Sequence, residues 1–421
     1  MRISTNEFLL GSLNDMMGLQ SNINTLNQEI ASGQSMVDPT TDPAGAGMAL
    51  NVAGQLGHLA YDSSNAQSGT LSIQNGLGVL QQVTSLINQV RQTAEQAANG
   101  TMTAQTRASL VTTVQGALQE LVQLANTQAA DGSYLFAGSK ANTQPFQVLS
   151  NGQVRYSGDG GSNQIEIAPS LNVPVTISGQ NIFMNIPDGN GSFSVAASGS
   201  NTGEAVANPA GVTSASQVAA ESQAGTQFEI AFSAGSGLGS LTYTVTSGTG
   251  SPGSAGFAAS AGVVASGSYA SGSDIVFGGM DVGFQGTPAA GDAFTVQASQ
   301  NTSLFATLQS LISALQLPGQ GDVNSPLAQQ QIQNVLGGID QAQTSLLLAQ
   351  ATLGANLSEI QSVQGQDSAQ TSSAQIQLSQ LQSANLPQVI ANYSENITAL
   401  QAAEAAFARI QNLTLFSVIG P

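Results

Sequence analysis

The sequence predicts a protein that is mainly α at both termini, with long helices in a coiled-coil-like bundle, and that carries an all-β, sandwich- or barrel-like insert at its centre. Two observations carry this prediction. Near both ends apolar residues recur at alternating spacings of three and four, the period of a narrow helical seam. From Asn151 to Gln300 the text changes to short β-rich runs between glycines, and this stretch holds 26 of the 47 glycines. At 421 residues the chain has room for about three average domains.

The elements follow in order. Leu9, Leu13, Met16, Leu19, Ile23, Leu26 and Ile30 form the first stripe, and Gly33 stops its helix. The prolines of Asp38-Pro39-Thr40-Thr41-Asp42-Pro43 bar helix at the residue before each, so this run reads as an ordered turn. Periodicity resumes with Ile73, Leu77, Leu80, Val83, Ile87 and Val90 and ends at Asn99-Gly100. Thr103 suits the N-cap of a helix whose stripe is Leu110, Val114, Leu118, Leu121 and Ala125. Asp131-Gly132 then reads as a hairpin turn leading into a strand at Tyr134-Leu135-Phe136.

Within the insert, strands are expected at 164–167, 173–177, 241–246, 274–277 and 293–296, with Gly/Ser turns between them. The Ala/Gly/Ser tract from Ser247 to Ser268 fits either a long exposed loop or weak edge strands. Helical text returns near Ser303 and turns at Pro318-Gly319. Pro326 suits the first turn of a helix reaching about Gln382. A last stripe comprises Ile390, Tyr393, Ile397, Leu400, Phe407 and Ile410. Around both terminal stripes the flanking residues are Ser, Asn, Gln, Ala and Thr rather than the ion pairs usual beside a coiled-coil seam. Such faces suit packing among many copies; pattern alone leaves an ordinary two-helix hairpin equally open.

Composition excludes several functions. Charged residues are 7%, and six basic side chains face 24 acidic ones for a net charge of −18. No cation lies between Tyr156 and Ala408, so there is no basic cluster to hold nucleic acid or an anionic membrane. Cysteine is absent, which removes disulfides, thiolate nucleophiles and Cys-based metal sites. The N-terminus shows neither a signal-peptide core nor a cleavage site, and no apolar run is long enough to span a bilayer, yet the composition resembles that of a cell-surface protein. His58, the single histidine, has no nucleophile or ligand partner in spacing. Asp38 and Asp42 belong to a capping turn rather than a calcium loop, and Gly158-Asp159-Gly160-Gly161 is a turn without a repeat. Gly235 to Ser240 lacks the third glycine of a dinucleotide motif. No enzyme, cofactor or metal is expected.

Several motifs are more specific. Met1-Arg2-Ile3-Ser4-Thr5, Ser32-Gly33 with Thr41-Asp42-Pro43-Ala44, Ala97-Ala98-Asn99-Gly100-Thr101 with Arg107, and Asp131 to Gly138 resemble blocks of the bacterial flagellin superfamily. Thr41 stands where the family's turn carries its first Asp. The run Gly286 to Val296 is similar to a module of hook-associated members, and the end from Leu400-Gln401-Ala402-Ala403 to Leu413-Thr414-Leu415 resembles the flagellin-type C-terminus. The resemblance implies a nested architecture: an inner helical coiled-coil domain of 1–44 with 385–421, a helical bundle with a β-hairpin of 45–160 with 301–384, and an outward β-rich insert of 161–300. It favours multi-copy packing, with the two terminal stripes as the assembly interface. It also implies a homo-oligomeric ring at the hook–filament junction with hook-associated protein 1 and flagellin as partners, and secretion through the flagellar type III apparatus with an export chaperone. A filament flagellin and a secreted adhesin-like surface protein are the alternatives.

Overall fold

The computed structural model describes residues 2–35, 43–99, 102–237, 239–249, 258–317 and 325–419. The expected turn at 38–42 and that at Pro318-Gly319 lie outside them. The helices are α1 (Arg2–Ser32), α2 (Pro43–Ala98), α3 (Ala104–Ala125), α4 (Ala215–Ala224), α5 (Leu304–Gln316), α6 (Pro326–Gln382) and α7 (Leu386–Ile419). The strands are β1 (Phe146–Val148), β2 (Val154–Tyr156), β3 (Gln164–Ala168), β4 (Leu171–Pro174), β5 (Ile186–Pro187), β6 (Phe193–Ala197), β7 (Val206–Val212), β8 (Gln227–Ala234), β9 (Leu241–Thr249), β10 (Ala258–Tyr269), β11 (Ile275–Phe277), β12 (Met280–Gln285), β13 (Ala293–Ala298) and β14 (Asn301–Thr302). The fold class is the one predicted: long helices at both ends and antiparallel sheets between them. Two compact units form, Met1–Ser64 with Ser362–Pro421, and Asn65–Gln361.

Local chemistry sets the helix ends. Gly33 adopts φ +68°, a conformation glycine takes without a side-chain clash, and closes α1. Thr103 Oγ1 accepts from Thr106 N at 3.1 Å, and Ser303 Oγ accepts from Ala306 N at 3.0 Å, so α3 and α5 each have a hydroxyl cap. Pro43 and Pro326 occupy first-turn positions, where a missing N–H costs nothing. Helix α2 begins 30 residues before its large apolar stripe. Mostly small residues bury there, among them Ala49 and Ala66 beside a lone Leu59, so the helix carries little hydrophobic signal.

In the larger unit Ile73, Leu80, Val83, Ile87 and Val90 of α2 are buried, as are Leu110, Val114, Leu121 and Ala125 of α3. Leu118 is only half-buried, and Ala117 fills the corresponding place in the core. Tyr134 to Phe136 does not form a strand. Tyr134 makes one isolated bridge, to Gln128, and Gly132 and Gly138 at positive φ turn the chain on either side. Phe136 is buried beside Phe183, and Phe146 stacks between Phe183 and Phe305.

The insert is a β-sandwich. A five-stranded sheet, ordered β10-β9-β8-β13-β6, and a three-stranded sheet, β11-β12-β7, are antiparallel throughout and share one core with Val218 of α4. Phe193, Phe228, Ile230, Phe232, Val282, Phe284 and Phe294 fill it. The Ala/Gly/Ser tract supplies the edge strand β10, whose register shifts near Gly262. A bulged, irregular edge resists pairing with other sheets. Buried Gln330 of α6 holds the insert from below: its side-chain amide accepts from Ala207 N and donates to Ala207 O.

Candidate assembly surface on the terminal helices

In the smaller unit α1 and α7 pack together. The chain leaves α1 and enters α7 at the same place: Ser35 N donates to Gln382 O at 2.7 Å, Ala384 N donates to Gly33 O at 3.1 Å, and Gln34 bridges Ser383. The two helices therefore run antiparallel from a common backbone clasp.

The seam between them is a heptad pattern on both sides. On α1 Ser12, Met16, Leu19, Ile23, Leu26 and Ile30 are sheltered, spaced four and three in alternation, with Glu29 half-buried beside Ile30. On α7 they are Val389, Tyr393, Asn396, Leu400, Ala403 and Phe407, at the same spacings. Ile23 is 6% exposed and Val389 is buried; the rest are half-buried. None of these heptad residues is charged, so apolar burial and close fit drive the pairing along the seam.

Most of the expected stripe lies at this seam: Met16, Leu19, Ile23, Leu26, Ile30, Tyr393, Leu400 and Phe407. Ile397 is half-buried beside Asn396. Leu13 is 44% exposed and Ile390 is exposed, so both point away from the seam. The side chains of Leu9 and Ile410 lie outside the described ones. A search for large apolar residues passes over polar Ser12 and Asn396 and small Ala403, and at 389–390 it selects the bulkier Ile390 in place of Val389. Stepping by four and three from Tyr393 finds the α7 members.

The outward faces carry apolar residues too. Leu10, Leu13 and Met17 are exposed on α1 at i, i+3 and i+7, which is a single helical face. Leu386 and Ile390 are exposed on α7, as are Met48 and Leu50 on α2. His58 is exposed on α2, and no group of three metal-ligating side chains occurs among the described residues.

Comparison with known proteins gives this arrangement a context. The family model for the bacterial flagellin N-terminal helical region matches residues 3–141. Flagellar hook-associated protein 3 of Escherichia coli K12 is 23% identical over 419 residues, 99% of each chain. B-type flagellin of Pseudomonas aeruginosa is 32% identical over 145 residues, covering 34% of this chain and 30% of that protein. The solved structure of flagellar hook-associated protein 3 from Legionella pneumophila aligns with a TM-score of 0.68 at 28% identity, covering 78% of this chain and 98% of that one. For FlgL of Xanthomonas campestris the TM-score is 0.65 at 27% identity, covering 78% and 99%.

Paired terminal helices around a β insert, with these matches, make the chain similar to proteins of the bacterial flagellin superfamily. The likeness to flagellar hook-associated protein 3 runs over 99% of the chain, whereas the match to B-type flagellin covers about a third of it.

Proposed function

We propose that the chain is a structural, non-enzymatic component of the bacterial flagellum, an adaptor that polymerises as a short ring at the junction of hook and filament. The observation that carries this reading is the likeness to hook-associated protein 3 over 99% of the chain, where the match to B-type flagellin covers 34%. Hook-associated protein 1 is the partner on one side and flagellin on the other. Export runs through the flagellar type III apparatus, with a chaperone holding the free subunit, and places the protein outside the cell.

In this reading 1–44 with 385–421 form the inner domain, 45–160 with 301–384 the surrounding bundle, and 161–300 the outward insert. The stripes of α1 and α7 are the assembly interface, with two separate tasks. The seam around Ile23 and Val389 joins the helices within a copy, and the exposed face of Leu10, Leu13 and Met17 meets a second copy. Burying that face in water-free contact supplies the driving force for polymerisation.

Deletion of the gene tests the proposal. The expected outcome is hooks without attached filaments while flagellin accumulates in the medium. Cells that lack the protein and still carry normal filaments would overturn it.

A further inference from the structure

Asp62 of α2 and Asp367 of α6 are 9% and 6% exposed, in the same unit as the terminal helices. Asp367 Oδ2 has no hydrogen-bond partner among the described residues. It lines a groove whose other walls are Leu56, Leu59, Ala60 and Ser63 of α2 and Ser368, Thr371, Ser372 and Gln375 of α6. Two carboxylates so sheltered, with no cation in that lining, cannot both be ionised cheaply.

We propose that Asp367 is carried protonated opposite Asp62, and that losing this proton as pH rises loosens the packing of α2 against α6 around it. Geometry supplies the cause. Burial removes water from the carboxyl, and the charge of Asp62 opposes a second charge, so both effects raise the pKa of Asp367 above the ordinary value, burial being the larger. Among the described residues Asp62 is the charged group acting on it. His58 and Tyr61 on α2 are exposed to solvent, as is Glu359 two turns before Asp367 on α6.

The direction follows from linkage. A carboxyl with a raised folded pKa binds its proton more tightly in the folded state, so the folded state holds more protons than the unfolded one between the two values. Stability is therefore highest below the unfolded pKa, falls as pH rises toward the folded value, and is constant above it. Each pKa unit of elevation is a tenfold change in the opening equilibrium.

Amide hydrogen exchange of the full-length chain, corrected for intrinsic rates, tests this between pH 4 and pH 8. Protection across residues 56–63 and 367–375 should fall over that range. In Asp367→Asn it should stay flat and, at pH 8, exceed that of the wild type. Carbon-13 NMR of Asp carboxyls in the wild type reads the same event without a variant, as one carboxyl titrating above its ordinary range. An ordinary titration for every Asp, or the same fall in protection in Asp367→Asn, would overturn the proposal. So would a rise in wild-type protection at pH 8 on adding calcium that Asp367→Asn abolishes, because the pair would then be a cation site.

Discussion

Replacing Ile23 and Leu13 separately by Asp distinguishes the joint within a copy from the contact between copies. Ile23 is 6% exposed at the centre of the seam. Ile23→Asp forfeits about 2–3 kcal/mol of burial and sets an unpaired carboxylate against apolar neighbours, at a further ~3 kcal/mol or more. Leu13 is 44% exposed. In the free chain Leu13→Asp loses about 1 kcal/mol of burial, and about 0.5 kcal/mol more in helix propensity, because its carboxylate keeps its water. Assembly then strips that water away against a second copy. A penalty of about 3 kcal/mol there is roughly a hundredfold in association. Amide exchange on the secreted subunits, followed by complementation of a deletion strain, reads both steps. Ile23→Asp should expose α1 to rapid exchange in the free subunit, whereas Leu13→Asp should exchange like the wild type and still fail to attach filaments. Normal swimming of Leu13→Asp would refute the assignment of the Leu10–Leu13–Met17 face to the contact between copies. Exchange in Ile23→Asp no faster than in the wild type would refute the seam.

Other consequences concern the ends and the insert. Ile23 is the one fully buried side chain described on α1 and Val389 the one on α7, so residues 9–30 and 390–410 should exchange much faster in the free subunit than buried α2 at 79–90. Their protection should rise on polymerisation, and equal protection in the monomer would contradict this. In the insert, Asp292 is 1% exposed and its carboxylate accepts from Thr202 N and Ala289 N, both at 2.8 Å, and from Gly203 N at 3.1 Å. Asp292→Asn turns an amide N–H toward at least one of these donors and should cost about 3 kcal/mol in denaturant unfolding, against an expected ceiling of ~0.5 kcal/mol if the bonds were incidental. The strands entering and leaving the sandwich lie side by side, with Asp188 N donating to Gln300 O at 2.9 Å and Ser299 Oγ to Asp188 O at 2.7 Å. Replacing 190–298 by a short Gly/Ser linker should leave the helical scaffold folded and filaments attached. A secreted deletion variant that joins nothing would make the sandwich part of the joint.

Where large apolar residues keep a strict period, the sequence was enough to place the elements. The reading of α6 from Pro326 to about Gln382, the stop at Gly33 and the cap at Thr103 all match the structure, because each rests on local backbone chemistry. The first half of α2 was invisible for the opposite reason. Its packing uses Ala49, Ala66 and Gly69, and a Cβ on Gly69 would come within 3.1 Å of Val175 and 3.2 Å of Ile360, so closeness rather than hydrophobic bulk holds it. Helix α4 was missed because its ten residues bury only Val218. At the candidate surface, hydrophobicity alone selects Ile390 and Leu13, whereas the seam takes Val389 and Ser12. A one-residue rotation of about 100° decides which face meets which partner, and it depends on the opposing helix. The buried pair Asp62–Asp367 left no trace in the sequence, since its members stand 305 positions apart.

Immunogold labelling of purified hook–filament complexes with antibody to the insert tests the central proposal most directly. A single band of label where hook meets filament is the predicted result. Label along the whole filament, as a flagellin would give, or on the cell surface away from the flagellum, would contradict it.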